Sequence, residues 1–141
     1  REKAKEMGAT DAIKPVMVKI NRFYKKHGMP KFIFECAGSE KALRSTFDLI
    51  DRGGTICVES IYKGNISLPF FMLNSREISL IGTMSHERED IEDAIALMES
   101  KKVNPRALIS KIIPLEEIQG AFEAFIAPEA REFIKIVVKI I

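Results

Sequence analysis

Residues 32–58 read FIFECAGSEKALRSTFDLIDRGGTICV, and this stretch decides the fold. A short apolar run ends at Gly38, Ser39 is a residue type that caps helices, and a second apolar run occupies Thr55–Val58. The pattern therefore predicts a strand, a helix and a second strand. Short, continuous apolar strands are typical of a parallel sheet that is covered on both faces.

The alternation of strands and helices continues on both sides of this stretch. Further helices are expected over Arg1–Met7 and Pro15–His27, over Leu68–Leu73, after a capping Ser85 with Ile91, Ala94, Ile95 and Met98 as its buried stripe, and over Leu115–Phe125. Further strands are expected at Asp11–Ile13, Ile78–Gly82, Leu108–Ile113 and Phe133–Ile141. Alternation of this kind favours an α/β fold with a mostly parallel sheet.

Composition excludes several classes of protein. Of the 141 residues, 46% are hydrophobic and 30% are charged, which is typical of a globular protein rather than a disordered chain. With 22 Lys and Arg against 20 Asp and Glu, the net charge of +2 predicts no nucleic-acid partner. Since no apolar run approaches the ~20 residues that cross a bilayer, no membrane partner is expected either. Two cysteines do not form a disulfide framework, so we expect a cytoplasmic protein.

The first residues indicate that the sequence belongs to something longer. Arg1 falls directly into a helical pattern that stops at Gly8, with no capping residue before it. We therefore distinguish what this piece can do from what its parent protein would do.

Residues that carry chemistry are few. His27, His86, Cys36 and Cys57 show neither the spacing of a metal site nor that of a nucleophile with its base, and the two cysteines are expected to be buried thiols. The glycines form no phosphate-binding motif of the G-x-G-x-x-G or Walker type. No catalytic or metal-ligating residue is predicted.

Six segments, in chain order, resemble the cofactor-binding half of the medium-chain, zinc-dependent alcohol and polyol dehydrogenases. They are Glu6–Ile13, Phe34–Gly38 (F-E-x-x-G), Arg52–Val58 (R-G-G), Glu77–Thr83, Ile113–Phe122 (I-P-L-E-x-x-x-x-A-F) and Ile134–Val137. Within that family, Ser60–Tyr62 and Gly82–Ser85 look closest to the butanediol, sorbitol and threonine dehydrogenases.

The resemblance implies a partial Rossmann-type, doubly wound sheet with helices on both faces. Residues 1–103 would be the C-terminal half of the dinucleotide-binding domain, and residues 104–141 a return segment that packs against a catalytic domain. The parent would transfer a hydride between an alcohol or polyol and NAD or NADP, with a zinc ion whose ligands this chain lacks. The piece alone would be inactive.

The resemblance also implies cofactor-binding positions on the loops and strands of the sheet. Ala37, Gly38 and Ser39 would lie near the adenine ribose, and Val58, Glu59 and Ser60 near the nicotinamide ribose. On the sixth strand of the family, backbone groups of Ser79 and Ile81 would hold the carboxamide, and Lys135 would reach the pyrophosphate. Glu59 is an unusual choice, because a carboxylate close to an anionic cofactor is unfavourable unless it points to solvent.

Two further expectations follow from the resemblance. Ile78–Ile81 matches the strand through which family members pair two subunits, so we expect a homodimer or larger assembly. Two alternatives to a zinc-dependent dehydrogenase remain open. One is a zinc-free quinone or enoyl reductase that uses NADPH, and the other is a non-enzymatic α/β interaction module. The substrate is not readable, because its pocket would lie mostly in another domain.

Overall fold

The computed structural model describes residues 1–127 and 133–140. Its helices are α1 (Glu2–Glu6), α2 (Met17–His27), α3 (Glu40–Leu49), α4 (Phe70–Ser75), α5 (Arg88–Glu99) and α6 (Ile118–Ile126), with short 3₁₀ helices at Pro105–Leu108 and Leu115–Glu117. Its strands are β1 (Phe32–Glu35), β2 (Thr55–Val58), β3 (Ser79–Gly82), β4 (Ile109–Pro114) and β5 (Lys135–Lys139). Among the described residues, no helix is both long enough and apolar enough to span a bilayer.

The chain divides into two compact units. One unit is Ile13–Ser85, and the other combines Arg1–Ala12 with the described residues from His86 onward. The expectation of a boundary after residue 103 stays a prediction.

A three-stranded parallel sheet forms the centre of the unit Ile13–Ser85, in the order β1-β2-β3. Phe32 pairs with Thr55 and Glu35 with Val58, while Thr55 pairs with Ser79 and Val58 with Gly82. All three strands therefore end at the same edge. The predicted α/β class with parallel strands and intervening helices is confirmed.

The core of this unit lies between α3 and one face of the sheet. It consists of Leu43, Phe47, Ile50, Ile56 and Ile78, with Ile33, Val58 and Leu80 among the residues packed against it. The predicted cap of α3 is confirmed, since the Ser39 hydroxyl accepts a hydrogen bond from the amide of Ala42 at 3.2 Å. At the other end of α3, the Arg76 guanidinium donates to the carbonyls of Phe47 and Ile50. A cation there complements the negative end of the helix dipole.

Gly54 has a packing role. A Cβ at this position would lie 2.6 Å from Cγ1 of Ile50 and 2.9 Å from the Asp51 carbonyl oxygen. Only glycine allows the chain to pass this close to the end of α3 before β2 begins.

The opposite face of the sheet differs from the prediction. The side chains of Phe32, Phe34 and Ile81 are 70%, 66% and 51% exposed, so β1 is covered on one face rather than on both. Cys36 follows β1 and is exposed, and Cys57 is half-buried, so the expectation of two buried thiols is wrong. The apolar residues of β1 predicted a strand correctly, but they do not indicate which elements pack on each of its faces.

Asp11–Ile13 does not form a strand, although the sequence predicted one. A strand exists only where a neighbour completes its hydrogen-bond ladder. In the Rossmann-type strand order 3-2-1-4-5-6, Asp11–Ile13 would be the family's third strand and would pair with the family's second strand. None of the described residues forms that second strand.

In the second unit, β4 and β5 form a parallel pair in which Ile109 aligns with Lys135 and Ile113 with Val138. Helix α5 corrects two expectations. Its cap is Glu87, which makes a capping box with Asp90, whereas Ser85 lies outside the helix at φ 63°. Its apolar residues are not a buried stripe, because Ile91, Ile95 and Met98 are 42–47% exposed.

Candidate functional site

Two loops meet where β1 and β2 end. We call residues 36–39 the first edge loop and residues 59–62 the second edge loop. The two strands run in parallel with Glu35 opposite Val58, and the amide of Glu59 continues the ladder by donating to the Glu35 carbonyl at 3.0 Å. In open α/β sheets, ligands bind in the crevice outside the carboxyl ends of the strands. This edge is therefore the candidate site of the chain.

The carboxylate of Glu35 lies between the two edge loops and is only 3% exposed. Its Oε1 accepts the amides of Ala37 at 2.9 Å and Gly38 at 3.2 Å. Its Oε2 accepts the hydroxyl of Ser60 at 2.6 Å and the hydroxyl of Tyr62. One oxygen thus holds the first edge loop and the other holds the second.

These contacts shift the pKa values of the groups that meet. Burial raises the pKa of Glu35, but the hydrogen bonds from Ser60, Tyr62, Ala37 and Gly38 together bring it below its ordinary value of 4.5. Burial, followed by the hydrogen bond to the Glu35 carboxylate, raises the pKa of Tyr62 to about 12. Glu35 is therefore ionised and Tyr62 neutral at physiological pH.

Gly38 connects the loops directly. Its amide also donates to Oγ of Ser60 at 3.0 Å, and its φ of 67° lies in the left-handed region that favours glycine. A Cβ here would rest 3.6 Å from Cβ of Ser60, which is an ordinary contact, so the glycine is required by its φ rather than by crowding.

The structure brings most of the predicted positions together. Ala37, Gly38, Ser39, Val58, Glu59 and Ser60 all lie at or just beyond the carboxyl ends of β1 and β2. Ile81 lies in β3 opposite Cys57. Ser79 is the first residue of β3 and so lies at the amino ends of the strands, away from the two edge loops. Lys135 is the first residue of β5, in the second unit.

The side chain of Glu59 is exposed, as a carboxylate near an anionic ligand would need to be. It accepts a hydrogen bond from the Cys57 thiol at 3.4 Å, a weak contact. Burial first, and then the neighbouring Glu59, raise the pKa of Cys57. The thiol is therefore a poor nucleophile.

The hydrogen-bond donors of the loops decide which part of a dinucleotide would fit them. The amides of Ala37, Gly38 and Glu59 are engaged with Glu35, so they do not form a phosphate cradle. The Ser39 hydroxyl accepts from Ala42, and within the described residues its own hydrogen has no acceptor. A free hydroxyl can bond a ribose hydroxyl or another polar group of a ligand. These three amides are therefore not available to a phosphate, whereas the Ser39 hydroxyl hydrogen is available to a polar ligand.

Zinc does not fit the residues that the structure describes. Over residues 1–127 and 133–140, no group of three or more His, Cys, Asp or Glu side chains could hold a metal ion. No metal-assisted step is derived from them.

Glu35 and Tyr62 are the site residues that the sequence reasoning missed. A usable signal was present, because Glu35 is the one charged residue in the apolar run 32–37. A carboxylate in a strand of this kind must find several donors when it is buried. Tyr62 carried no such signal, since a tyrosine in a loop has many roles.

Residues 1–100 match the family of zinc-binding dehydrogenases. The chain belongs to this family. The sequence-based resemblance to medium-chain, zinc-dependent alcohol and polyol dehydrogenases is confirmed.

Similar proteins include two that are named for a polyol and for a ketose. The chain is 28% identical to a sorbitol dehydrogenase of Halalkalibacterium halodurans, over 92% of this chain and 39% of that protein. It is 26% identical to a D-xylulose reductase of Saccharomyces cerevisiae, over 86% of this chain and 36% of that protein. The chain spans about two fifths of the length of these curated relatives.

Solved structures share the fold. A crystal structure from Escherichia coli, described as a short chain alcohol dehydrogenase with bound NADH, superposes with a TM-score of 0.84 at 18% identity. The match covers 99% of this chain and 41% of that one. This confirms the dehydrogenase-like α/β fold for the chain.

The depressed pKa of Glu35 gives a testable pH dependence. Because the folded pKa lies below the unfolded one, the ionised carboxylate stabilises the fold above the unfolded value, and this stabilisation is lost as the pH falls below 4.5. We expect Glu35→Gln to lower the free energy of unfolding by about 2 kcal/mol at neutral pH. On acidification, the free energy of unfolding should fall less in this variant than in the wild type. Urea unfolding at a series of pH values measures both effects.

Glu77→Gln is the matched control. Glu77 also has a lowered pKa, caused by its hydrogen bond to Arg52, but both side chains are about two-thirds exposed. An exposed ion pair contributes little, so this variant should follow the wild type closely. Parallel pH curves for Glu35→Gln and the wild type would contradict the assignment of Glu35 as an ionised, hydrogen-bonded group.

Proposed function

We propose that this chain supplies the ribose-binding side of the nicotinamide cofactor cleft in a polyol dehydrogenase. The observation that carries the proposal is the family match over residues 1–100. Two relatives that align with most of this chain, one named for the polyol sorbitol and one for the ketose D-xylulose, indicate the substrate class. The geometry supports it, because the hydroxyl of Ser39 keeps a free hydrogen beside the carboxyl ends of β1 and β2. NAD or NADP is the cofactor in this proposal.

Each part of the chain has a distinct role in the proposal. Residues 1–103 are the C-terminal half of the dinucleotide-binding domain, and residues 104–141 are the return segment. Ala37, Gly38 and Ser39 border the adenine ribose, and Val58, Glu59 and Ser60 border the nicotinamide ribose. Ile81 is assigned to the carboxamide. Ser79, at the amino end of β3, and Lys135, in the second unit, remain expectations from the family resemblance, for the carboxamide and the pyrophosphate respectively.

A bound nicotinamide would supply the hydride chemistry that interconverts an alcohol and a ketone. The residues of this chain orient the cofactor and take no proton themselves. Ser39 can donate its free hydroxyl hydrogen to a ribose oxygen while its oxygen remains the cap of α3. Zinc, which would polarise the substrate oxygen, belongs in this proposal to a part of the whole protein other than the described residues.

A cytoplasmic location is part of the proposal. Cys36 and Cys57 are both free thiols, which agrees with a reducing compartment.

The proposal includes a dimer formed through the outer edge of β3. Within the described residues β3 pairs only with β2. The amides of Ser79 and Thr83 point toward β2, since they donate to the carbonyls of Gly54 and Val58 at 3.0 and 3.1 Å. Strand alternation then turns the amides of Leu80 and Gly82 outward, where a second copy of Ile78–Ile81 could pair with them.

Activity of the whole protein tests the proposed reaction. We expect it to reduce NAD or NADP with a polyol such as sorbitol or xylitol, and to lose this activity when a chelator removes zinc. Absorbance of the reduced nicotinamide follows the reaction, and restoring zinc provides the control. A protein that binds neither cofactor and oxidises no polyol would refute the proposed function.

Proline substitution tests the dimer. Leu80→Pro and Gly82→Pro each remove an outward amide without removing a bond to β2, so we expect both to weaken the dimer at least about tenfold. Leu80 packs against the core whereas Gly82 is exposed, so Gly82→Pro separates lost pairing from lost packing. Sedimentation velocity of the whole protein measures the change. A wild-type protein that sediments as a folded monomer would refute the pairing.

A further inference from the structure

We propose that Glu35 is a positioning residue that couples the two edge loops and so sets the affinity of the site for its dinucleotide. This inference rests on the proposed function and deepens it. Glu35 itself is buried beneath the loops and acts through them rather than by touching the cofactor.

The first argument is that each oxygen of the carboxylate accepts hydrogen bonds from a different loop. Oε1 takes its two hydrogen bonds from backbone amides of the first edge loop, Ala37 and Gly38. Oε2 takes its two from side chains of the second edge loop, Ser60 and Tyr62. A rotation of the carboxylate that improved one set would impair the other. The loops can therefore shift only together.

The second argument is that Ser60 closes a ring of hydrogen bonds. Its hydroxyl donates to Glu35 and accepts the amide of Gly38 at 3.0 Å. Gly38 in turn donates to Oε1 of Glu35. Three residues from β1 and both loops thus restrain one another, in addition to the ladder bond from Glu59 to the Glu35 carbonyl.

The third argument concerns charge. Four donors satisfy the capacity of the carboxylate, and the ion pairs among the described residues do not include Glu35. An uncompensated buried charge would be costly, so the four donors are held tightly in place. Because the loss of one hydrogen bond to the buried carboxylate is unfavourable, the loops keep their conformation when the site is empty. A preformed site loses less entropy on binding than a mobile one.

The test removes one hydroxyl and examines the other loop. Tyr62→Phe deletes a bond of the second edge loop, and the coupling transmits the change to the first. We expect amide hydrogen exchange in residues 36–39 to become about tenfold faster, while exchange in β2 remains unchanged. In the same whole protein, we expect KM for the cofactor to rise about threefold to tenfold with little change in kcat, because the loops orient the cofactor without reacting.

Tyr24→Phe is the matched control, since Tyr24 is the other tyrosine of the chain and lies in α2. It should alter neither the exchange of residues 36–39 nor KM. Glu35→Gln distinguishes positioning from a direct contact between Tyr62 and the cofactor. Positioning predicts a raised KM in both variants, whereas a direct contact predicts it only in Tyr62→Phe.

The outcomes separate this inference from the proposed function. Unchanged exchange of residues 36–39 in Tyr62→Phe would refute the coupling even in an active enzyme. Faster exchange with an unchanged cofactor KM would show a structural bond that does not position the cofactor, and would also refute the inference. A wild-type protein that binds no nicotinamide cofactor would refute the proposed function itself, and the inference with it.

Discussion

The hydrogen bonding of the Glu35 carboxylate to two loops is the interaction on which the candidate site of this chain depends. The parallel register of β1 and β2 places the ends of both strands side by side, but register alone leaves the loops beyond them free. Glu35 stands at the last position of β1 and receives hydrogen bonds from both loops. Backbone order is thereby extended from the sheet into the region where a dinucleotide would bind.

Packing on the other side of the same strands supports this arrangement. Phe47, Ile50 and Ile56 are fully buried where α3 meets the sheet. Ser39 caps α3 and also ends the first edge loop, so the helix cap and the candidate ribose contact are one residue. Arg76 holds the far end of the helix through the carbonyls of Phe47 and Ile50. The core therefore fixes the positions of the strand ends from which the loops begin, and the hydrogen bonds to Glu35 fix the conformation of the loops.

Much of the fold could be predicted from local sequence, and most of the failures concern which neighbours a segment meets. Apolar runs bounded by glycine predicted β1 and β2, and Ser39 predicted the start of α3. The cap of α5 failed for a local reason, because Glu87 and Asp90 form a capping box two residues after Ser85. Asp11–Ile13 had no strand to pair with, and Phe32 and Phe34 have one face without cover. The site followed the same rule. Family resemblance led to the loop residues, but the bonds from Tyr62 and Ser60 to Glu35 span 27 and 25 positions and could not be read from spacing.

A crystal structure of the whole protein with bound NAD or NADP tests the central claim most directly. The account predicts that the two ribose groups lie against residues 36–39 and 59–62, with Ser39 within hydrogen-bond distance of a ribose oxygen. It also predicts that both oxygens of Glu35 keep their bonds to the two loops. A dinucleotide bound elsewhere, or loops that release Glu35 when the cofactor binds, would contradict it.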